Sequence, residues 1–154
     1  MMNEPLADVA LLAPVHEQHL ISGLETSDAT GFVAFGTNAA LTFLEFRSLV
    51  DEAHQADILF YASHSQKGGP PCAAYRGRFA GYDGADMGKA KIAWLKHRPP
   101  STDSDTGWSG FYLVRNLQRI EQPVLIAALK KCGGRAKLAK TFVPIGPLII
   151  DTPF

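Results

Sequence analysis

Cys72 to Tyr82 reads Cys-Ala-Ala-Tyr-Arg-Gly-Arg-Phe-Ala-Gly-Tyr, and this stretch decides the fold. Alternation along a strand puts Arg76 and Arg78 on one face and Tyr75 and Phe79 on the other. Just upstream, Asp57 to Ala62 (Asp-Ile-Leu-Phe-Tyr-Ala) is a nearly continuous apolar run, the pattern of a buried strand. Between the two lies Ser65-Gln66-Lys67-Gly68-Gly69-Pro70-Pro71, which reads only as a loop. Phe111 to Leu117 is another strand, continuing through Arg119 toward Gln122. Long strands with short helices predict a curved sheet decorated by helices, not a regular doubly wound alternation.

Working outward, Val9 to Ala13 is a short apolar run ending at Pro14, and Gly31 to Gly36 is a strand bracketed by glycines. His16 to Leu24 reads as a short helix with Leu20, Ile21 and Leu24 on one face. Thr42 and Glu45 form a capping box for a helix carrying Phe46, Leu49, Val50 and Ala53. Residues 83–109 are polar, the longest candidate irregular segment, with Lys89 to Leu95 compatible with a turn of helix. Pro123 suits the first turn of a helix whose apolar face is Leu125, Ala128, Leu129 and Cys132. Lys130, Lys131 and Gly133-Gly134 read as its stop signal. Phe142 to Ile145 and Leu148 to Ile150 read as closing strands.

The chain has 154 residues, and 46% hydrophobic with 19% charged residues is a globular composition, so residues 1–154 are expected to form one domain. No apolar run is long enough to span a membrane. Met1 to Asp8 carries Glu4 and Asp8 without a basic cluster, which argues against a signal peptide. Cys72 and Cys132 are too few for a disulfide framework, and a cytoplasmic setting is expected. The net charge of zero hides a split: residues 1–75 hold two basic and nine acidic residues, residues 76–154 thirteen and six. Such asymmetry can mark a binding face for a polyanion.

Catalytic and metal motifs give little. His16 and His19 are three apart, but Glu17-Gln18 between them does not make H-E-x-x-H, and neither cysteine has a C-x-x-C partner. There is no G-x-S-x-G around Ser63-His64-Ser65, and Gly68-Gly69 lacks the G-K-[ST] of a phosphate loop. Asp103 and Asp105 lack the downstream glutamate of a calcium loop. No catalytic residue, metal or cofactor is therefore assigned. What remains is a set of aromatics on neighbouring strands: Phe60 and Tyr61; Tyr75, Phe79 and Tyr82; Trp108, Phe111 and Tyr112. Arg76, Arg78, Arg115 and Arg119 stand beside them. Aromatic faces stack bases at ~1–3 kcal/mol each, and neighbouring cations hold phosphates.

Three segments resemble the EVE branch of the PUA-like superfamily. They are Asp57 to Tyr61 followed by His64-Ser65; Ala73 to Phe79; and Phe111 to Gln122 with Pro123-Val124 and then Phe142 to Ile145. Together they cover about half of the chain. Leu11-Leu12 stands where members commonly show a tryptophan, and Ala62-Ser63 separates Tyr61 from His64. The resemblance implies an α+β fold: a PUA-like, EVE-like curved mixed sheet or pseudobarrel with two or three peripheral helices. It also implies a non-catalytic module that binds DNA or RNA through a modified base in an aromatic pocket. The ligand-binding residues expected are Asn38, Tyr61, His64, Ser65 and Trp108, with Asn38 reading a base edge. Arg76, Arg78, Lys137 and Lys140 are expected along the nucleic-acid backbone. Two other readings remain: a small hydrolase of a modified nucleoside, as in the related ASCH domains, and a protein-interaction module.

Overall fold

The computed structural model describes residues 5–50, 54–66, 68–102 and 107–154. Its centre is a parallel pair, β1 (Val9–His16) beside β3 (Asp57–Ser63), in register through Leu11 and Ile58, then Ala13 and Phe60. The crossover between them contains α1 (Glu17–Thr30), β2 (Phe32–Thr37) and α2 (Ala40–Leu49). The two long strands, β4 (Cys72–Gly84) and β5 (Gly110–Leu125), pair antiparallel, and β6 (Leu148–Asp151) closes the order β2-β5-β4-β3-β1-β6. The class is thus α+β with a mixed sheet. The sheet is unclosed, because β2 and β6 are its two ends and do not pair.

Register shifts at Ala73/Tyr75, Arg76/Arg78 and Phe79/Gly81 interrupt the β4–β5 pairing. The last two each insert one extra residue, and the first leaves residues 120–123 of β5 outside the ladder; such irregularities bend and twist a strand. Gly77 sits at the middle one because a Cβ there would strike Val114. Two apolar clusters fill the interior. One joins Leu11, Phe35, Phe60, Tyr75, Tyr112 and Val114 to Leu20 of α1 and to Phe43 and Phe46 of α2. The other joins Ala10, Leu12, Leu59 and Ile150 to Ile126 and Leu129.

Four local expectations change. The helix after Pro123 is absent: β5 runs through Pro123 to Leu125, and a single 3₁₀ turn, Ile126–Ala128, follows. Proline is tolerated there because Pro123 falls in the break of the β4–β5 register between Arg119 and Val124, and β2 pairs with β5 only as far as Arg115. Ile126 and Leu129 are the buried residues, whereas Leu125 is exposed, so the helical spacing had the wrong phase. Phe142 to Ile145 is irregular; Pro144 removes a backbone donor within it, and Pro147 another just beyond. Thr42 lies inside α2, which starts at Ala40 without a side-chain cap. The helix α1 extends to Thr30, well past Leu24, and stops at Gly31, whose φ of +86° lets its N–H reach Ser27 O at 2.8 Å.

Both ends of the sheet are covered. Arg98 Nη1 donates to Ala34 O of β2 at 2.8 Å, beside the 3₁₀ turn Ile92–His97. At the other end Cys132 N–H donates to Ile149 O and Asp151 N–H to Lys130 O. Among the described residues no helix is long and apolar enough to cross a membrane.

Candidate ligand cleft

Beyond the carboxyl ends of the parallel pair opens a cleft of about 730 Å³. Ligands of open sheets commonly sit at this end of parallel strands. Pro14 and His16 come from β1, Tyr61 and Ser63 from β3, with His64 just after it. The end of β2 supplies Gly36 and Thr37, followed by Asn38. Across from them stand Trp108 and Tyr112, and the chain from Val143 to Pro147 forms the last wall.

Each position has a local cause. Trp108 lies flat against the backbone of Gly36, since a Cβ on that residue would sit 2.6 Å from the indole Cδ2 and closer still to Cγ and Cδ1. Asn38 is held by its Oδ1, which accepts the Ser109 N–H at 3.0 Å, so its amide N–H₂ is the group left to donate. Ser109 Oγ donates to Thr37 O at 3.1 Å, tying the same two segments together. His64 has a φ of +57°, a conformation uncommon for a residue with a side chain. Its ring lies 4.1 Å from that of His16, centroid to centroid. Tyr112 is the buried floor, stacked on Phe43 at 4.5 Å, and burial pushes its phenol well above the ordinary range. It is a wall whose phenol stays protonated.

Asn38, Tyr61, His64 and Trp108 therefore meet in one cleft. Ser65 stands next to it and donates to Glu17 Oε2 at 2.9 Å. Of the other aromatics, Phe60, Tyr75 and Phe111 are buried in the core, and Tyr75 takes a hydrogen bond from Arg119 at 2.8 Å. Arg76 and Arg78 do not rim the cleft. They hold the buried Asp57 at the opposite end of β3, Arg76 at 2.8 Å and Arg78 in direct contact, and line a separate groove with Asn116 and Gln118. Lys137 and Lys140 are exposed, and Lys140 precedes the Val143 wall by three residues. Asp103 and Asp105 lie outside the described residues.

Sequence reasoning missed His16, Gly36 and the Val143–Pro147 wall. Gly36 was legible as a strand terminus, but its closeness to Trp108 depends on pairing between β2 and β5. Nothing local marks Val143 to Pro147 as a wall. Among the described residues no group of three or more His, Cys, Asp or Glu is placed to hold a metal ion. The cleft lining holds hydroxyls, imidazoles and an amide, with no lysine or carboxylate among the described residues. Such a surface stacks and hydrogen-bonds a planar ligand. No protein-family model matches the chain, and no curated protein matches it.

Proposed function

We propose that the chain is a nucleic-acid-binding module of PUA-like, EVE-like type that lodges a modified base in this cleft, acting in the cytoplasm and without catalysis. The observation that carries the reading is the convergence of Asn38, Tyr61, His64 and Trp108, drawn from three separate segments, on one opening large enough for a base. Tyr61 and Trp108 offer stacking faces, and the Asn38 amide offers donors to a base acceptor. The exposed Lys137 and Lys140 supply charge toward the phosphates near the Val143 wall.

The test is binding of short DNA and RNA oligonucleotides carrying 5-methylcytosine or N6-methyladenine, against their plain counterparts. Trp108→Ala removes discrimination between modified and plain strands. Lys137→Ala with Lys140→Ala weakens both alike and flattens the salt dependence by about one unit per lost phosphate contact. Identical behaviour of the two variants refutes the site. Hydrolysis of an acylated nucleoside by the purified protein would favour an enzyme instead, and salt-independent failure to bind any strand would favour a protein-interaction module.

A further inference from the structure

One wall of the cleft takes no part in stacking a base or reading its edge. Val143, Pro144, Ile145 and Pro147 line it with apolar side chains, whereas Thr37, Asn38, Ser63 and His64 bring hydroxyls, an amide and an imidazole to the other walls. At about 730 Å³ the cleft also falls among those that enclose a whole drug-sized molecule. A base carrying only a methyl group would engage the aromatic and polar walls and leave the apolar wall in water. We propose that the modified base carries an apolar substituent of several carbons, prenyl-sized rather than methyl-sized, which packs along the Val143–Pro147 wall; the inference rests on the base-binding reading above and names the ligand class of that same cleft.

Three features support it. Val143 is 45% exposed and Ile145 is 100% exposed, on either side of Pro144, which is buried. Single exposed apolar residues are ordinary on a protein surface, but these two line a concave space that a ligand can fill. The wall is also fixed in place. Phe142 before it and Leu148 after it pack on the second apolar cluster, Phe142 N–H donates to Ala139 O at 3.0 Å, and Ile149 O accepts the Cys132 N–H. Proline at 144 and at 147 restricts the backbone between these ties, so binding there carries little ordering cost. Finally, no lysine, arginine or carboxylate lines the cleft among the described residues. A carboxyl-bearing or amino-bearing substituent would lose its hydration on this wall without gaining a charged partner. A hydrocarbon substituent loses nothing there and removes the wall and itself from water together.

The test uses two nucleoside series, adenosine and cytidine with hydrogen, methyl or isopentenyl on the exocyclic amine, followed by calorimetry and tryptophan fluorescence. In at least one series the isopentenyl nucleoside is expected to bind about tenfold or more tightly than the methyl one, because several further carbons leave water. The double variant Val143→Ser with Ile145→Ser should reduce that ratio toward one while leaving the affinity for the methyl nucleoside unchanged. Both side chains are exposed, so the fold has little packing to lose, and thermal melts check this. Trp108→Ala, by contrast, should weaken the methyl and isopentenyl members alike. An isopentenyl nucleoside that binds no better than its methyl counterpart in either series overturns the substituent while leaving the base cleft standing. An advantage that survives the double substitution places the substituent elsewhere and refutes this wall. Binding of no nucleoside in either series overturns the base reading as well.

Discussion

Alanine at Gly36 and alanine at Gly77 create nearly the same clash in two different surroundings. At Gly36 the three atoms nearest the new Cβ all belong to the Trp108 indole, Cδ2 at 2.6 Å with Cγ and Cδ1 closer still, so the ring must retreat by more than 0.8 Å to reach ordinary contact at 3.4 Å. The indole is half-buried and borders open space on two sides, so it yields by tipping away from β2. At Gly77 the Cβ meets Val114, which is fully buried, with Arg115 O behind it at 3.3 Å, and nothing there can move freely. Overpacking a tight core costs ~1–3 kcal/mol. Gly77→Ala should therefore lower Tm by about 2–12 °C at ~2–4 °C per kcal/mol, and Gly36→Ala by less than about 4 °C. Binding should show the reverse order. Followed in a Trp94→Phe background, where Trp108 is the sole tryptophan reporter, Gly36→Ala shifts the emission and abolishes discrimination of modified bases. Equal stability losses would show that the indole is not the part that yields. Wild-type binding by Gly36→Ala would show that Trp108 does not shape the cleft.

The other predictions concern charge in the fold. Asp57 is 1% exposed and held by two arginines that are 23% and 27% exposed, so Asp57→Asn leaves two cations without their carboxylate. Because those arginines can partly rehydrate, the expected cost is about 2–3 kcal/mol, below that of a fully buried pair, and urea unfolding measures it. His97 is buried against Phe32, with Nδ1 2.8 Å from Thr30 Oγ1, and burial together with Lys96 lowers its pKa from the ordinary 6.5. The unfolded chain thus takes a proton that the folded chain resists. Stability is complete above that ordinary value and declines as pH falls through it. His97→Gln should flatten the slope of unfolding free energy against pH in this range; an unchanged slope would remove His97 as the cause.

The parts of the fold that could be read from sequence are those whose signal is local. β3 declares itself by an apolar run and β4 by its length and alternation, and the cleft residues Tyr61 and His64 follow because they sit where β3 ends. Tertiary context defeated the rest. Thr26, Ser27 and Thr30 look like loop residues, yet they extend α1, with Ser27 Oγ accepting the Leu117 N–H and the two threonines bonding back to Ser22 O and Thr26 O. Leu125, Ala128, Leu129 and Cys132 imitate a helical stripe, while burial against Leu12 and Leu59 selects Ile126 and Leu129. Arg76 and Arg78 looked like cations awaiting a polyanion because Asp57, nineteen residues before Arg76, could not be seen as their partner.

The guarding of the sheet's ends bears on how copies of this chain meet one another. An unclosed sheet normally offers backbone donors and acceptors to any extended strand that drifts past, the usual beginning of aggregation. Here Arg98 occupies a carbonyl of β2, residues 130–132 are bonded along β6, and the part of β5 beyond its pairing with β2 carries the exposed Glu121 and Pro123. Charge and proline on an exposed strand discourage pairing, as a covering segment also does. The open sheet is thereby blunted at both ends without being closed into a barrel, and the cleft beyond the carboxyl ends of β1 and β3 is left open.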